Sequence, residues 1–404
     1  MNILFLTPQL PFPPRQGTAI RNWGLIKHLA GRHALSLLSF TEPDQTPVAA
    51  ELQAVCRKVV TVPMPQRTRA DRLRTLFSPR ADLARRLWSA DFANALAALL
   101  RESAFDLVQV EGLEMAPYLS LAANPKSKTE NRKSLYDAHN AEYLLQRRAF
   151  SNDVRLPARW PAALYSLIQT PRLEKFEAET CRMAGAVTCV SKEDAEALQR
   201  LAPALKPVIV PNGIDMADYQ AQGVKPKAQA GAKLVFTGKM DYRPNIDAAV
   251  WFAEAILPRI RAVKPETQFF VVGQKPPEKL RRLNGRQGVV VTGTVDDTRP
   301  YIAEAAIYVA PLRMGGGTRF KLLEAMALAR PIISTTLGAE GFSVRSGQEL
   351  LLADTPTEFA AAALTLLEAP AQAEAMAQAG HAFAQASYDW SVIIPKLEAA
   401  YHVP

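Results

Sequence analysis

Cysteine is scarce: Cys56, Cys181 and Cys189 are the only three in 404 residues. They form an odd number without metal-ligand spacing, which argues against a disulfide framework and points to a reducing cytoplasm. No run approaches the ~18 consecutive apolar residues that cross a bilayer. The first stretch, MNILFLTPQLPFPP, lacks the charged n-region and long apolar core of a signal peptide and reads as a strand entering a turn. No G-x-G-x-x-G follows that strand, so a dehydrogenase reading fares poorly, and there is no Walker A sequence. H-E-x-x-H, G-x-S-x-G and carboxylates spaced for a metal are missing as well. No period of ~20 to 50 residues repeats, which excludes a solenoid.

The chain does have the material of a globular protein. Hydrophobic residues make up 48% and charged residues 22%, enough apolar side chains for two cores of roughly 150 to 200 residues each. The net charge of +9 is concentrated early, with 27 Lys and Arg against 20 Asp and Glu up to residue 205. A basic half suits phosphate-bearing partners, an anionic leaflet or nucleic acid, and equally well a surface charged for solubility. Basic residues are not interleaved with aromatics in the pattern of a nucleic-acid module, so no nucleic acid is expected as partner.

Short β-rich runs alternate with helical stretches, the punctuation of a parallel sheet with helices on both faces. Strands are expected at residues 3–6, 35–40, 107–110, 134–136 and 186–190, with a helix at 18–30. After VIVPNGID a second series begins, with strands at 234–237, 269–272, 289–292, 307–310 and 332–335 and a helix over 247–261. Residues 215–232 lack periodicity and read as the connection. The expected organisation is a first domain over 1–205, a second over 206–388 and a final helix, 389–404, returning to the first. The Arg-rich stretch RTRADRLRTLFSPRADLARRLW reads either as a basic amphipathic helical pair suited to anionic lipid or as surface helices with leucines facing the core.

The most informative stretch is APLRMGGGTRFKLLEAMALARPIIST. A strand ends, Gly315, Gly316 and Gly317 follow, and a helix opens near Thr318. Consecutive glycines let the backbone approach a ligand closely, and a helix N-terminus offers amides to an anion. Arg319 and Lys321 place cations in the first turn, where the macrodipole disfavours them unless an anion is near. Glu324, a turn later, can accept paired hydrogen bonds from a ribose diol. The bland reading is a glycine-rich loop with incidental basic residues.

LVFTGKMDYRPNIDAAVWF repeats the strand, turn and helix arrangement. Gly238 permits a tight exit, and Lys239 and Arg243 can reach a phosphate. Asn245, after Pro244, reads most simply as a helix cap with Asp247. In the first half, SLYDAHNAEY puts His139 just past a strand, where parallel sheets present residues to a crevice, although a lone histidine is usually structural. PFPPRQGTAIRNW sets Arg15 and Gly17 between a strand and a helix, as an acceptor or phosphate contact or as a plain turn.

The order of these pieces resembles glycosyltransferase family 4: Gly17, His139, VPNGID, TGKMDYRPN and GGGTRFKLLEAMALARPII fall in its sequence along nearly the whole chain. Within the family it looks closest to sugar transferases of exopolysaccharide assembly systems of the PEP-CTERM type. The resemblance implies an α/β chain of GT-B architecture, two facing Rossmann-like domains with parallel sheets and an interdomain cleft. It implies a nucleotide-diphosphate sugar bound mainly by the second domain, a glycan or polyprenyl-diphosphate-linked acceptor held by the first, and transfer with retention of configuration. His139 would contact the donor sugar, Lys239 and Arg319 would stabilise the leaving diphosphate, and Glu324 would hold the ribose. No cofactor or essential metal is expected, and the location is cytoplasmic, peripheral at an anionic inner membrane.

Two departures qualify the match. The family often carries a glutamate eight positions before Glu324, where this chain has Gly316, and a lysine six positions after Lys239, where it has Asn245. Arg243, Arg319 or Lys321 must then supply the second charge. The competing readings are a nucleotide-sugar epimerase or phosphorylase of the same fold, and a non-catalytic membrane-surface module of a polysaccharide assembly complex.

Overall fold

Strand β1 (Asn2–Thr7) carries Ile3, Leu4, Phe5 and Leu6, all fully buried. An apolar run without alternation is what a parallel strand covered on both faces requires, and each such side chain contributes roughly 1.5–3 kcal/mol by leaving water. The computed structural model describes residues 1–14, 17–42, 48–122, 132–220, 232–315 and 319–403. In the first unit β1 is followed by β2 (Ala34–Thr41), β3 (Lys58–Pro63), β4 (Leu107–Glu111), β5 (Lys133–Ala138), β6 (Ala186–Cys189) and β7 (Val208–Ile209). All pair in parallel in the order β3-β2-β1-β4-β5-β6-β7.

The second unit repeats the plan with β8 (Lys233–Thr237), β9 (Gln268–Val272), β10 (Val289–Gly293), β11 (Ile307–Ala310), β12 (Ile332–Ser334) and β13 (Leu351–Leu352). Its parallel order is β10-β9-β8-β11-β12-β13. Strand order reverses between β1 and β4 and again between β8 and β11, and the crevice outside the strand ends at such a reversal is where this class of sheet binds ligands.

The ten strands expected from sequence all form. Three others, β3, β7 and β13, do not show in the apolar pattern: β3 is an edge strand whose side chains are mostly half-exposed, and β7 and β13 are two residues each. The early helix is Gly17–Leu29, so Gly17 is its first residue rather than part of the turn. The expected 247–261 helix runs as Arg243–Trp251, a π-turn over Phe252–Ile256, and Leu257–Arg261. The stretch read as connection contains a short helix, Met216–Gln220.

The chain separates into one unit of Met1–Gly213 with Trp390–Pro404 and a second of Ile214–Asp389. The last helix, Trp390–Tyr401, therefore packs in the first unit. Its Trp390 ring lies where a Cβ on Gly24 or Gly213 would overlap it, so two glycines make the seat for one indole. Ile393, Ile394 and Leu397 join the same core as β1 and the Gly17–Leu29 helix.

Candidate functional site

In the second unit the strand ends on either side of the reversal carry the two motifs. β8 leads into Gly238 and β11 into the loop with Gly315. A Cβ on Gly238 would stand 2.7 Å from Asn245 Nδ2 and 3.0 Å from Lys321 Nζ, so glycine is what lets both side chains close over the backbone. Lys321 Nζ donates to Asn245 Oδ1 at 2.8 Å and lies 4.2 Å from the centre of the Phe236 ring. Asn245 Nδ2 donates to the Lys239 carbonyl at 2.9 Å. Gly315, at φ 98°, adopts backbone that other residues resist, and a Cβ there would lie 3.2 Å from Arg319 Nη2 and 3.5 Å from Pro244 Cγ. The ion pair of Arg313 with Asp247, 2.8 Å at its shorter contact, ties the β11 loop to the Arg243–Trp251 helix.

Burial and the neighbouring Arg319 charge lower the Lys321 ammonium to about 7, against partial support from Glu324. A cation held this way is stabilised by any anion that enters. Glu324 is raised by burial, offset by the Tyr219 hydroxyl, which donates to its Oε1 at 3.2 Å. Tyr219, on the Met216–Gln220 helix, was not foreseen.

Several expectations need correction. Asn245 is not a helix cap: the cap position is Tyr242, with Arg243 and Pro244 opening the helix, so Asn245 sits inside the first turn and its side chain turns back to the loop. The glycine-loop helix is Phe320–Ala327, which places Arg319 at the capping position and leaves Lys321 alone of the two in the first turn. Lys239 contributes its carbonyl to the cluster, while its half-exposed ammonium lies 3.8 Å from Asp241. Arg243 is half-buried at the first helical position. Gly316, Gly317, Thr318 and Arg15 lie outside the described residues.

In the first unit, His139 follows β5 and its Nε2 donates to Glu111 Oε2, at the end of neighbouring β4, at 2.9 Å. Asp137 Oδ2 is 3.6 Å from the same nitrogen. Asp137 is held in turn by buried Arg21, with Nε on Oδ2 at 2.7 Å and Nη2 on Oδ1 at 2.9 Å, and by the Thr188 hydroxyl at 2.6 Å. Arg21 also reaches the Pro211 carbonyl and Asn212 Oδ1, both at 3.1 Å, so the VPNGID turn is tied to the same network. Behind Glu111, Gln109 Nε2 donates to its Oε1 at 2.7 Å, and Tyr401 of the last helix donates to Gln109 Oε1 at 2.7 Å.

Burial opposes the charge on Arg21, yet Asp137 raises its pKa above the ordinary arginine value. Asp137, despite burial, is held well below the usual carboxylate range by Arg21. Glu111 is raised by burial and by the Asp137 charge. Burial works against the imidazolium of His139, but the hydrogen bond to Glu111 and the charge of Asp137 raise it overall. Glu111, Asp137 and His139 bring ligand-type atoms within 4.8 Å of one another. Those carboxylate oxygens accept hydrogen bonds from Gln109, His139, Arg21 and Thr188, a network that orients the imidazole.

The loop bearing His139 is anchored from behind. Asp194 accepts from the Ala141 amide at 2.8 Å, and Glu177 accepts from the amides of Glu142 and Tyr143 at 3.0 and 3.1 Å. These groups cap the helix Glu142–Asp153 and fix where the histidine emerges. Arg21, Glu111, Asp137, Thr188 and Asn212 were missed by sequence reasoning. A signal was present: polar residues inside LVQVE and SLYDA interrupt runs otherwise suited to burial, and a buried charge demands a partner.

Two Rossmann-like α/β units, the second with glycine turns at its strand reversal, define a GT-B protein. The chain belongs to glycosyltransferase family 4: the family model described by that name matches residues 16–218, just over half the chain. A second model, Glycosyl transferases group 1, matches residues 231–369. Among curated relatives, the phosphatidyl-myo-inositol mannosyltransferase of Propionibacterium freudenreichii is 29% identical over 225 residues, 54% of this chain and 56% of the relative. The protein of that name from Mycobacterium tuberculosis is 30% identical over 205 residues, 48% of this chain and 53% of the relative. The chain thus spans about half the length of the curated relatives it matches. Sucrose-phosphate synthase from Thermosynechococcus elongatus aligns with a TM-score of 0.72 and 18% identity, covering 99% of this chain and 98% of that one. Anabaena HepE in complex with UDP and glucose aligns at 0.65 and 15%, again covering 99% and 98%. Identities this low speak for the fold alone.

Proposed function

We propose that the protein transfers a sugar from a nucleotide-diphosphate donor, with retention of configuration, to a glycan or lipid-linked acceptor in exopolysaccharide or other cell-surface polysaccharide synthesis. The observation that carries this reading is the contact of Lys321 Nζ with Asn245 Oδ1 beside Gly238 at the β8/β11 reversal. The resemblance expects a lysine at position 245, and Lys321 brings an ammonium to that place from another helix. Lys321, Arg319, Lys239 and the loop amides would then bind the diphosphate and stabilise the charge that develops as it leaves. In this reading no metal is essential.

Glu324 is assigned to the donor ribose, and Gly238, Arg243, Asn245 and Gly315 to the diphosphate and sugar. His139, held by Glu111, is assigned to the donor sugar at the reacting end, and Gly17 to the acceptor side. The relatives named for phosphatidyl-myo-inositol and the neighbour holding UDP and glucose support a lipid-linked acceptor and a nucleotide-sugar donor. The same reading has the protein work in the cytoplasm, peripherally at the inner membrane. No helix among the described residues is long and apolar enough to cross a membrane.

The test is a thermal-shift screen of nucleotide sugars, since a ligand of the native state raises Tm by mass action, followed by product analysis with a lipid-linked oligosaccharide. Nucleoside diphosphate should appear only with acceptor, and the new linkage should keep the donor's anomeric configuration by NMR. No donor binding and no product would end the proposal; an inverted product would end the retaining part.

A further inference from the structure

The first unit also bounds an open cavity of about 1030 Å³ between the helices Arg69–Leu76 and Leu83–Arg86, the turn Leu113–Tyr118 after β4 and the far half of the helix Trp160–Met183. Seven of its lining residues are Lys or Arg and two are acidic. Part of this charge is matched locally, as in Arg67 with Asp82 at 2.6 Å. Arg172 instead donates to the carbonyls of Thr75 and Leu76, at 3.0 and 2.9 Å, which orders its guanidinium without neutralising it. Arg80 and Arg85 are exposed and have no carboxylate partner among the described residues. Like charges gathered around a hollow repel one another until an anion enters.

Trp88 lines the cavity, and Phe77 ends the helix Arg69–Leu76 between the lining residues Thr75 and Pro79. Phe77 is 89% exposed and Trp88 49%. Exposed aromatic side chains beside an arginine cluster are the composition of a surface that lies on anionic lipid.

We propose that this basic cavity seats the phosphate-ester headgroup of an anionic lipid, with Phe77 and Trp88 entering the headgroup boundary beside it. The exposed rim favours a lipid over a soluble phosphate ester, which would need the arginines and not the aromatics. The inference rests on the functional reading above only for the membrane location and is independent of the donor chemistry.

Co-sedimentation of the full chain with vesicles tests it. The wild type should pellet with phosphatidylcholine vesicles containing about one third phosphatidylglycerol and stay in solution with phosphatidylcholine alone, the binding weakening as salt is raised. An Arg80→Gln/Arg85→Gln double variant should lose roughly thirtyfold in partitioning, since each basic residue near an anionic leaflet contributes about fivefold. Phe77→Ser should also lose binding. Circular dichroism and the thermal shift with a nucleotide sugar should be unchanged in both variants.

Absence of vesicle binding, or binding indifferent to the two arginines, overturns the proposal. So does full retention by Phe77→Ser with release by soluble glycerol phosphate, which would identify a free phosphate ester as the ligand. Vesicle binding in a protein that transfers no sugar would leave this inference standing and remove the transferase reading.

Discussion

Lys321 and Asn245 stand 76 residues apart in the chain, and the Lys321 ammonium donates to the Asn245 amide oxygen at 2.8 Å. Each lies in the first turn of its helix, Phe320–Ala327 and Arg243–Trp251, behind a glycine loop. With its ammonium lowered to about 7 by burial and Arg319, Lys321 is the titrating group of this cluster.

Nucleotide-sugar affinity should follow that titration. A bound diphosphate holds Lys321 protonated, so affinity is full below pH 7 and weakens as pH rises above it. Calorimetry in buffers of different ionisation enthalpy should show proton uptake on binding near neutrality. Lys321→Met should weaken binding roughly 10- to 100-fold, the range of a charge-assisted hydrogen bond, and flatten the pH dependence. A pH profile identical in wild type and variant would remove Lys321 from the site.

Turnover tests the other cations. Lys239→Ala and Arg319→Ala should each lower turnover at saturating donor, by about tenfold or more, if they act on the leaving diphosphate. Normal turnover in folded variants would remove them from the mechanism.

Stability of the first unit depends on a buried ion pair. Arg21→Met leaves Asp137 charged and buried without its partner, and urea unfolding should show a loss of about 3–5 kcal/mol. Arg21→Met/Asp137→Leu should recover part of that loss, because the double variant removes both desolvated charges. A double variant no better than the single would mean the pair is not the source of the cost.

The indole seat is tested by one methyl group. Gly24→Ala should destabilise by about 1–3 kcal/mol, because the added carbon overlaps the Trp390 ring in a filled core. Trp390→Leu in the same background should relieve part of the strain, and an unchanged melting temperature in Gly24→Ala would show that the last helix yields freely.

Glu177 predicts a pH effect of definite sign. Burial raises it from the ordinary 4.5 to about 8, although the amides of Glu142 and Tyr143 support its charge. The folded protein therefore binds this proton more tightly than the unfolded chain, and its contribution is complete below pH 4.5 and lost as pH rises to about 8. Glu177→Gln should flatten the fall in stability across that window; an identical slope in the variant would place the effect elsewhere.

Local pattern was enough to find ten strands, the two glycine turns and the residues around them, because burial of short apolar runs and the backbone needs of a tight turn are written in consecutive positions. It was also enough to single out His139 just past a strand end, Lys321 at a helix start and Glu324 a turn further along that helix. It failed for Asn245, where a capping residue type sits one turn too deep in its helix to cap, and for the edge strands β3, β7 and β13, which bury too little to show a pattern.

Tertiary structure alone decided which polar groups meet. Arg21 reaches Asp137 across 116 residues, Glu111 reaches His139 across 28, and Tyr401 reaches Gln109 across 292. These pairs exist because the strand order sets β4 between β1 and β5 and because the last helix packs on the first sheet. Hydrophobic periodicity registers that a side chain leaves water, whereas partner choice among buried charges depends on distances that only the assembled sheets set.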